Sequence, residues 1–293
     1  MSDPDRHHFL PQFYLSRWAN AQGKLSTYSR QRGKLFVREY APKTIGAERG
    51  LYALNGVPPE HRNAIEREFM GPEIDDPAAK ALRILLSDTQ QVLPMDLRMA
   101  WVRFLMSLLV RLPNLLRKLK ADASETLALE IAARPEEYEA LRRPGHPPTL
   151  MEFLKERGIA GLVEDFGTTL IPGLVDLPQM KADIARMDWR VLHFRDGPYG
   201  LLTSDFPICM LPGLGSPDCL ISLPLSPTAI FLASYNSDLL NKLDALMPPA
   251  LIDAANRISI QSAQQYVYAD SRQYFELVDT YLEPRTEPSG SSG

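Results

Sequence analysis

The feature that most restricts how this chain can fold is an apolar stretch that begins near Asp96 and stops at Pro113. Leu97, Trp101, Phe104, Leu105, Leu108, Leu109 and Leu112 recur at three- and four-residue spacing, which on a helix forms one continuous apolar face. Asp96 suits the capping position at its start. Pro113 has no amide donor, so it ends or kinks the helix. The most apolar part, Met99 to Val110, is interrupted by Arg103 and Ser107 and falls short of the about 20 residues that cross a bilayer. It predicts a buried helix against which the remaining elements pack.

Composition agrees with a globular chain. Apolar residues are 45% and charged residues 23% of the total, so a core can form without staples. Cys209 and Cys219 have no Cys-x-x-Cys partner or nearby histidine, which disfavours a disulfide framework or a zinc ribbon and points to a reducing compartment. Met1 to Asp5 is polar and acidic with no apolar run behind it, unlike a secretory leader. The expectation is a cytoplasmic protein with no membrane association. The net charge of −4 argues against a generally basic surface. Only the interval from Arg17 to Arg38 is one-sided: two lysines (Lys24 and Lys34) and four arginines (Arg17, Arg30, Arg32 and Arg38) face no acid there. A solvated hairpin explains this, and nucleic-acid binding is its functional alternative.

The pattern along the chain predicts an α+β fold, predominantly helical, with an N-terminal hairpin and a C-terminal group of antiparallel strands packed on a central helical bundle. Residues 1–284 are read as one domain in three regions, 1–58, 59–187 and 188–284, followed by a disordered tail at 285–293. Pro11 can open a short helix that runs to about Trp18. Leu25 and Thr27, then Leu35 and Val37, suggest two strands around a loop at Ser29 to Gly33. Thr149 followed by Glu152 matches a capping box, after an exposed linker from Arg142 to Pro148. Trp189 to His193 is a strand, and Leu201 to Thr203 is expected to pair back on it through a turn at Asp196 to Pro198. Further strands are expected at Leu220 to Leu223 and Ala229 to Ala233, with helices at Ser237 to Leu246 and Pro249 to about Ala263.

Several short motifs occur in a distinctive order. His7-His8-Phe9-Leu10-Pro11-Gln12-Phe13-Tyr14-Leu15 opens the chain, followed by Leu25-Ser26-Thr27-Tyr28, Gly33-Lys34, Glu48 and Leu51-Tyr52. Arg111-Leu112-Pro113, Thr203-Ser204-Asp205-Phe206-Pro207 and Leu223-Pro224-Leu225-Ser226-Pro227 follow. Over nearly the whole chain this order resembles a bacterial family of domains of unknown function, numbered 4238. That family opens with a His-His-Tyr-Val-Pro-like signature and carries Arg-Thr-Pro, Thr-Ser-Asp-Asn-Pro and Pro-Leu-Ser-Pro. Here Phe9-Leu10 replaces the Tyr-Val pair, and Phe206 replaces an asparagine beside Asp205. The resemblance implies no activity, since the family has none assigned.

The candidate site residues follow from their chemistry. His7 and His8 can act as general base or metal ligand, because imidazole titrates near neutrality. Neighbours in an extended segment point to opposite sides, so one of the two reaches a given site. The alternative is that one caps the following helix while the other packs on Phe13 or Trp18. Asp205, at a strand end before Phe206-Pro207, is placed where a carboxylate can bind a divalent metal or orient a histidine. Alternatively, Ser204 and Asp205 hydrogen-bond the backbone of their own turn. Arg111 at the end of the apolar helix needs an acidic partner, with Asp205 or Glu66 as the choices, or else clamps an anionic substrate. Gln12 and Asn256 are further polar contributors. No P-loop, dinucleotide fingerprint, His-Glu-x-x-His or Gly-x-Ser-x-Gly motif occurs. Two functions are therefore carried forward. One is a metal-assisted hydrolase, acting on phosphodiesters, with His7 or His8 and Asp205 as catalytic groups. Its substrate would be bound by Arg111, Gln12, Ser204 and Asn256, and its metal held by His8 and Asp205. The other is a non-catalytic binding or interaction module of a bacterial defence or stress system.

Overall fold

A computed structural model describes residues 5–87, 93–194 and 199–283. Strand β1 (Arg6–His8) leads through Pro11 into α1 (Gln12–Leu15), which tightens to a 3-10 turn over Ser16–Trp18. Strands β2 (Leu25–Gln31) and β3 (Lys34–Tyr40) form a hairpin, and β4 (Ala47–Arg49) pairs with β1. A π-helical stretch, Ile65–Asp75, runs into α2 (Asp76–Leu85), followed by α3 (Met95–Val110) and α4 (Pro113–Ala133). Shorter helices come next: α5 (Pro135–Leu141), α6 (Leu150–Glu156), α7 (Gly161–Glu164), α8 (Phe166–Thr169), α9 (Ile171–Val175) and α10 (Pro178–Arg186). The remainder is β5 (Asp188–His193), β6 (Thr203–Ser204), β7 (Cys209–Leu211), β8 (Leu220–Ser226) and β9 (Ala229–Ser234), then α11 (Ser237–Asp244), α12 (Pro248–Ser262), β10 (Tyr266–Ala269) and α13 (Phe275–Tyr281). The fold class is α+β, as the sequence predicts.

Helix α3 is the buried helix expected. Trp101, Phe104, Leu105 and Leu108 lie in the largest hydrophobic cluster, and α2, α9 and α10 pack against this helix. Trp101 meets Phe104 at 5.0 Å and the β9 residue Phe231 edge-on at 5.9 Å, arrangements aromatic rings favour. The helix starts two residues earlier than expected: Pro94 occupies the capping position, and Asp96 lies inside the first turn, where its charge suits the helix dipole. The helix ends just before Pro113, as expected. Pro113 is the first residue of α4, and the axes of α3 and α4 meet at 75°. No single helix among the described residues is long and apolar enough to cross a membrane.

The strands form a two-stranded pair (β1 and β4) and two four-stranded antiparallel sheets, ordered β3-β2-β10-β6 and β5-β9-β8-β7. In the first, successive side chains alternate between faces. Tyr28, Leu35, Val37, Val267 and Ala269 pack with Ile260 of α12 and Val278 of α13. The opposite face starts at Leu25 and Tyr268 in the main core and turns polar beyond them. In the second sheet β9 is the innermost strand. Its Phe231 faces the main core, while Ile230 and Leu232 face Leu240 of α11 and Ile252 of α12.

Two expected connections differ. The hairpin loop set at Ser29 to Gly33 shrinks to Arg32-Gly33, because both residues adopt positive φ (48° and 77°) and the strands pair up to Gln31 and Lys34. This is the turn whose twist matches paired strands. Leu201 to Thr203 does not pair with Trp189 to His193. β5 instead takes six partners on β9, which sets Trp189 edge-on to Phe231 at 5.0 Å, and β6 joins β10. The turn placed at Asp196 to Pro198 and the tail placed at 285–293 lie outside the described residues. The capping box at Thr149 and Glu152 is present with both of its hydrogen bonds. Strand β8 carries Pro224 at a pairing irregularity, the position a strand tolerates proline.

One contact fixes the loop after β4 to the helical region. The buried Asp165 carboxylate accepts the Asn55 and Gly56 amides, the latter at 2.7 Å. Gly56 and Gly161 then touch so closely that a methyl on Gly161 would lie 2.7 Å from the Gly56 Cα. Gly161→Ala is expected to destabilise the protein by about 1–3 kcal/mol. Gly173→Ala, whose new methyl meets open space inside α9, should stabilise it by up to about 1 kcal/mol. Chemical denaturation of the two variants checks the contrast, and equal effects would contradict it.

Candidate functional site

The histidine pair sits on β1, opposite Glu48 and Ala47 of β4, and the strand turns the two rings different ways. His7 is fully buried. Its Nδ1 accepts the Tyr52 amide at 2.8 Å, so that nitrogen carries no proton, and Nε2–H donates to Asn63 Oδ1 at 3.0 Å. The ring stacks on Tyr52 with centroids 5.5 Å apart. Burial lowers the His7 pKa against the pull of Glu66, so the ring is held neutral as a structural peg. His8 is half-buried. Its Nε2 accepts from the Gln12 amide at 3.1 Å, and its Nδ1 lies 3.5 Å from Glu66 Oε1. Thus His8 and Gln12 do come together, with Glu66 as third member.

Arg111 is completely buried at the elbow between α3 and α4. Neither Asp205 nor Glu66 is its hydrogen-bonded acid. Its Nη2 donates to Asp75 Oδ1 at 2.6 Å, at the end of the π-helical stretch. The reason is positional: Glu66, at the start of that stretch, is engaged by the His8 backbone and ring. Burial raises the Asp75 pKa, against the opposing pull of Arg111. Among the described residues Arg111 Nε and Nη1 and Glu66 Oε2 have no hydrogen-bond partner.

Asp205 and Ser204 bind backbone, but not only that of their own turn. Ser204 Oγ donates to the Phe206 carbonyl and accepts the Phe206 amide. Asp205 reaches across the chain: its Oδ1 accepts the Gln264 amide at 2.7 Å, and its Oδ2 accepts those of Gln265 and Tyr266 at 2.8 and 3.1 Å. Asn256 is another clasp, accepting the Leu202 amide at 2.7 Å and donating to the Gly200 carbonyl at 3.0 Å. His8 and Asp205 therefore serve different partners and do not pair. Among the described residues no three His, Cys, Asp or Glu side chains come near enough to share a metal ion. The divalent-metal expectation finds no donor set here. The basic interval is also split: Arg30 turns to Asp279 and the Leu282 carbonyl, whereas Arg38 lies on the opposite face of the hairpin.

The polar face of the first sheet is the floor of a pocket of about 440 Å³. Thr27, Ser29 and Gln31 of β2, Arg38 and Tyr40 of β3, and Tyr266 and Tyr268 of β10 all point to it, as their register requires. Glu48, Asn114, Arg117 and Asp205 stand in its walls. Thr27 is 5% exposed and Tyr268 1% exposed. The Thr27 hydroxyl is buried without a hydrogen-bond partner among the described residues, and the Tyr268 side chain lines the pocket beside it. Of the sequence candidates only Asp205 borders this pocket. The others were missed, although the alternation of Tyr266-Val267-Tyr268 and of Thr27, Ser29 and Gln31 carried the signal.

Burial pushes the Asp205 carboxyl up to about 6 from an ordinary value of 3.8, against the pull of its three amide donors. The folded state then holds this proton more tightly than the unfolded one. Asp205 thus contributes stability fully below about pH 3.8, lost as pH rises through about 6. Carbon-detected NMR titration should show a midpoint near 6 for Asp205. A midpoint below 4 would mean that the amides outweigh burial.

No curated protein and no solved structure matches the chain. A family model described as "Protein of unknown function (DUF4238)" matches residues 6–273. This span includes β1, both four-stranded sheets and the pocket, and the chain belongs to that family.

Proposed function

We propose that this chain is a binding protein for a small molecule, seated on the polar face of the β3-β2-β10-β6 sheet. The observation that carries the reading is the buried Thr27 hydroxyl, which lines the pocket without a hydrogen-bond partner among the described residues, beside the Tyr268 side chain on the same floor. Buried polar groups are nearly always paired, so an unpaired one in a pocket wall marks a place where something else supplies the partner. The volume lies within the roughly 300–1,000 Å³ of small-molecule sites. The chain fits the wider expectation of a non-catalytic binding module better than that of a metal-assisted hydrolase acting on phosphodiesters. The hydrolase needs His8 and Asp205 at one centre, and these serve Glu66 with Gln12 and the Gln264 to Tyr266 backbone instead.

Thr27→Val and Tyr268→Phe remove the hydroxyls with little change of shape. Thr27→Val is expected to be as stable as the parent or slightly more so, because an unpaired buried hydroxyl is removed, and Tyr268→Phe to stay close to the parent. Each should also weaken ligand binding about tenfold, the loss of one good hydrogen bond. Thermal unfolding and saturation-transfer NMR with a panel of nucleosides, sugars and amino acids measure the two effects. Clear destabilisation of both variants, or binding signals that persist unchanged in both, would refute the reading.

A further inference from the structure

We infer that the ligand of this pocket carries an oxyanion, a phosphate or a carboxylate, seated where the first turn of α4 meets Arg117 and Arg38. This rests on the pocket being a binding site and names the chemistry of what it holds.

Helix α4 runs for 21 residues, and its capping residue Leu112 offers no side-chain acceptor. Its first residue, Pro113, has no amide hydrogen, and the Leu116 amide is already bonded to the Leu112 carbonyl at 2.8 Å. The amides of Asn114 and Leu115 are left without an intrahelical acceptor, as in any first turn. Pro113 and Asn114 border the pocket, so the positive end of a long helix dipole lies in its wall. Backbone amides and dipole together attract an anion there.

A helix end alone would not identify a site. The second observation is independent of it: the hydroxyl of Thr27, a residue only 5% exposed on the sheet floor of the same pocket, has no hydrogen-bond partner among the described residues. A hydroxyl of this kind can donate to an oxyanion oxygen.

Charge completes the picture. Arg117, one turn into α4, lines the pocket and is paired with Glu48 at 3.1 Å, with both side chains substantially exposed. Such a pair is weak and exchanges readily for a ligand oxyanion. Arg38 lines the same pocket and has no ion-pair partner among the described residues. The other acid of the wall, Asp205, has both carboxylate oxygens turned to three amides. Arg38 is therefore left without an acid of the pocket, and Arg117 is held only by the exposed Glu48. The pocket's size favours a free small molecule over a polymer backbone.

The test uses the full chain labelled with nitrogen-15 and titrated with inorganic phosphate, acetate and a short single-stranded oligonucleotide. Phosphate or acetate is expected to shift the Asn114 and Leu115 amides along a saturable curve. Arg38→Gln and Arg117→Gln should each weaken that binding about tenfold, as expected for a hydrogen bond to a charged group. Arg186→Gln, which alters a pair with Asp183 away from the pocket, should leave it unchanged. The inference is overturned if neither anion moves these amides, if both arginine variants bind like the parent, or if only the oligonucleotide binds. Neutral ligands that still depend on Thr27 and Tyr268 would then leave the binding reading intact. Absence of every pocket shift with every probe would remove both.

Discussion

The carboxylate of Asp205 is the interaction on which the first sheet depends. Three consecutive amides, Gln264 to Tyr266, end on its two oxygens, and its own amide returns to the Tyr266 carbonyl at 2.9 Å. These bonds set where the chain leaves α12 and enters β10. Strand β10 is the link between β2 and β6, so the hairpin near the N-terminus and the segment after β5 share a sheet only through it. A charge-assisted cluster of this kind is stronger than neutral hydrogen bonds. It stands at the edge of the pocket because the sheet it organises is the pocket's floor.

A second polar cluster lies inside the helical part. The π-helical stretch Ile65–Asp75 carries acids at both ends: Glu66 meets His8, and Asp75 meets Arg111. Its wider winding accommodates Pro72 within the run. The Arg111–Asp75 pair lies at the 75° elbow between α3 and α4. Pairs of this type contribute little net stability, but removing one partner leaves an isolated buried charge that costs about 3–5 kcal/mol. They therefore fix geometry more than they add stability, and here the geometry is the direction in which α4 points.

Local features were legible in the sequence, and distant partnerships were not. The face of α3, the Thr149–Glu152 capping box, the hairpin and the opening helix all rest on spacing within a few residues, so periodicity and cap chemistry reveal them. Strand β5 was legible as a strand, yet its partner was not. The choice between Leu201 to Thr203 and β9 is made by Trp189 packing on Phe231, residues far apart in the chain. Arg111 was recognisable as needing an acid, but Asp75 is distinguished from Glu66 only by what else each acid touches. Asp205 stood out in the sequence as a carboxylate at a strand end before Phe206-Pro207. Its partners are amides, which no side-chain pattern announces. The pocket was hidden for the same reason: its floor comes from three strands whose order the topology alone determines.

The hairpin strand β3 has a further consequence. It is the outer strand of its sheet, and one of its edges presents amides and carbonyls that no neighbouring strand among the described residues covers. Such an edge invites a second chain to add on, and proteins guard it with charge. Lys34, Arg38 and Glu39 are exposed along β3, beside the partly exposed Phe36. Arg38 therefore has two duties. It lends charge to the pocket face, and it also puts charge on the outer strand, where charge opposes the edge-to-edge joining of two sheets.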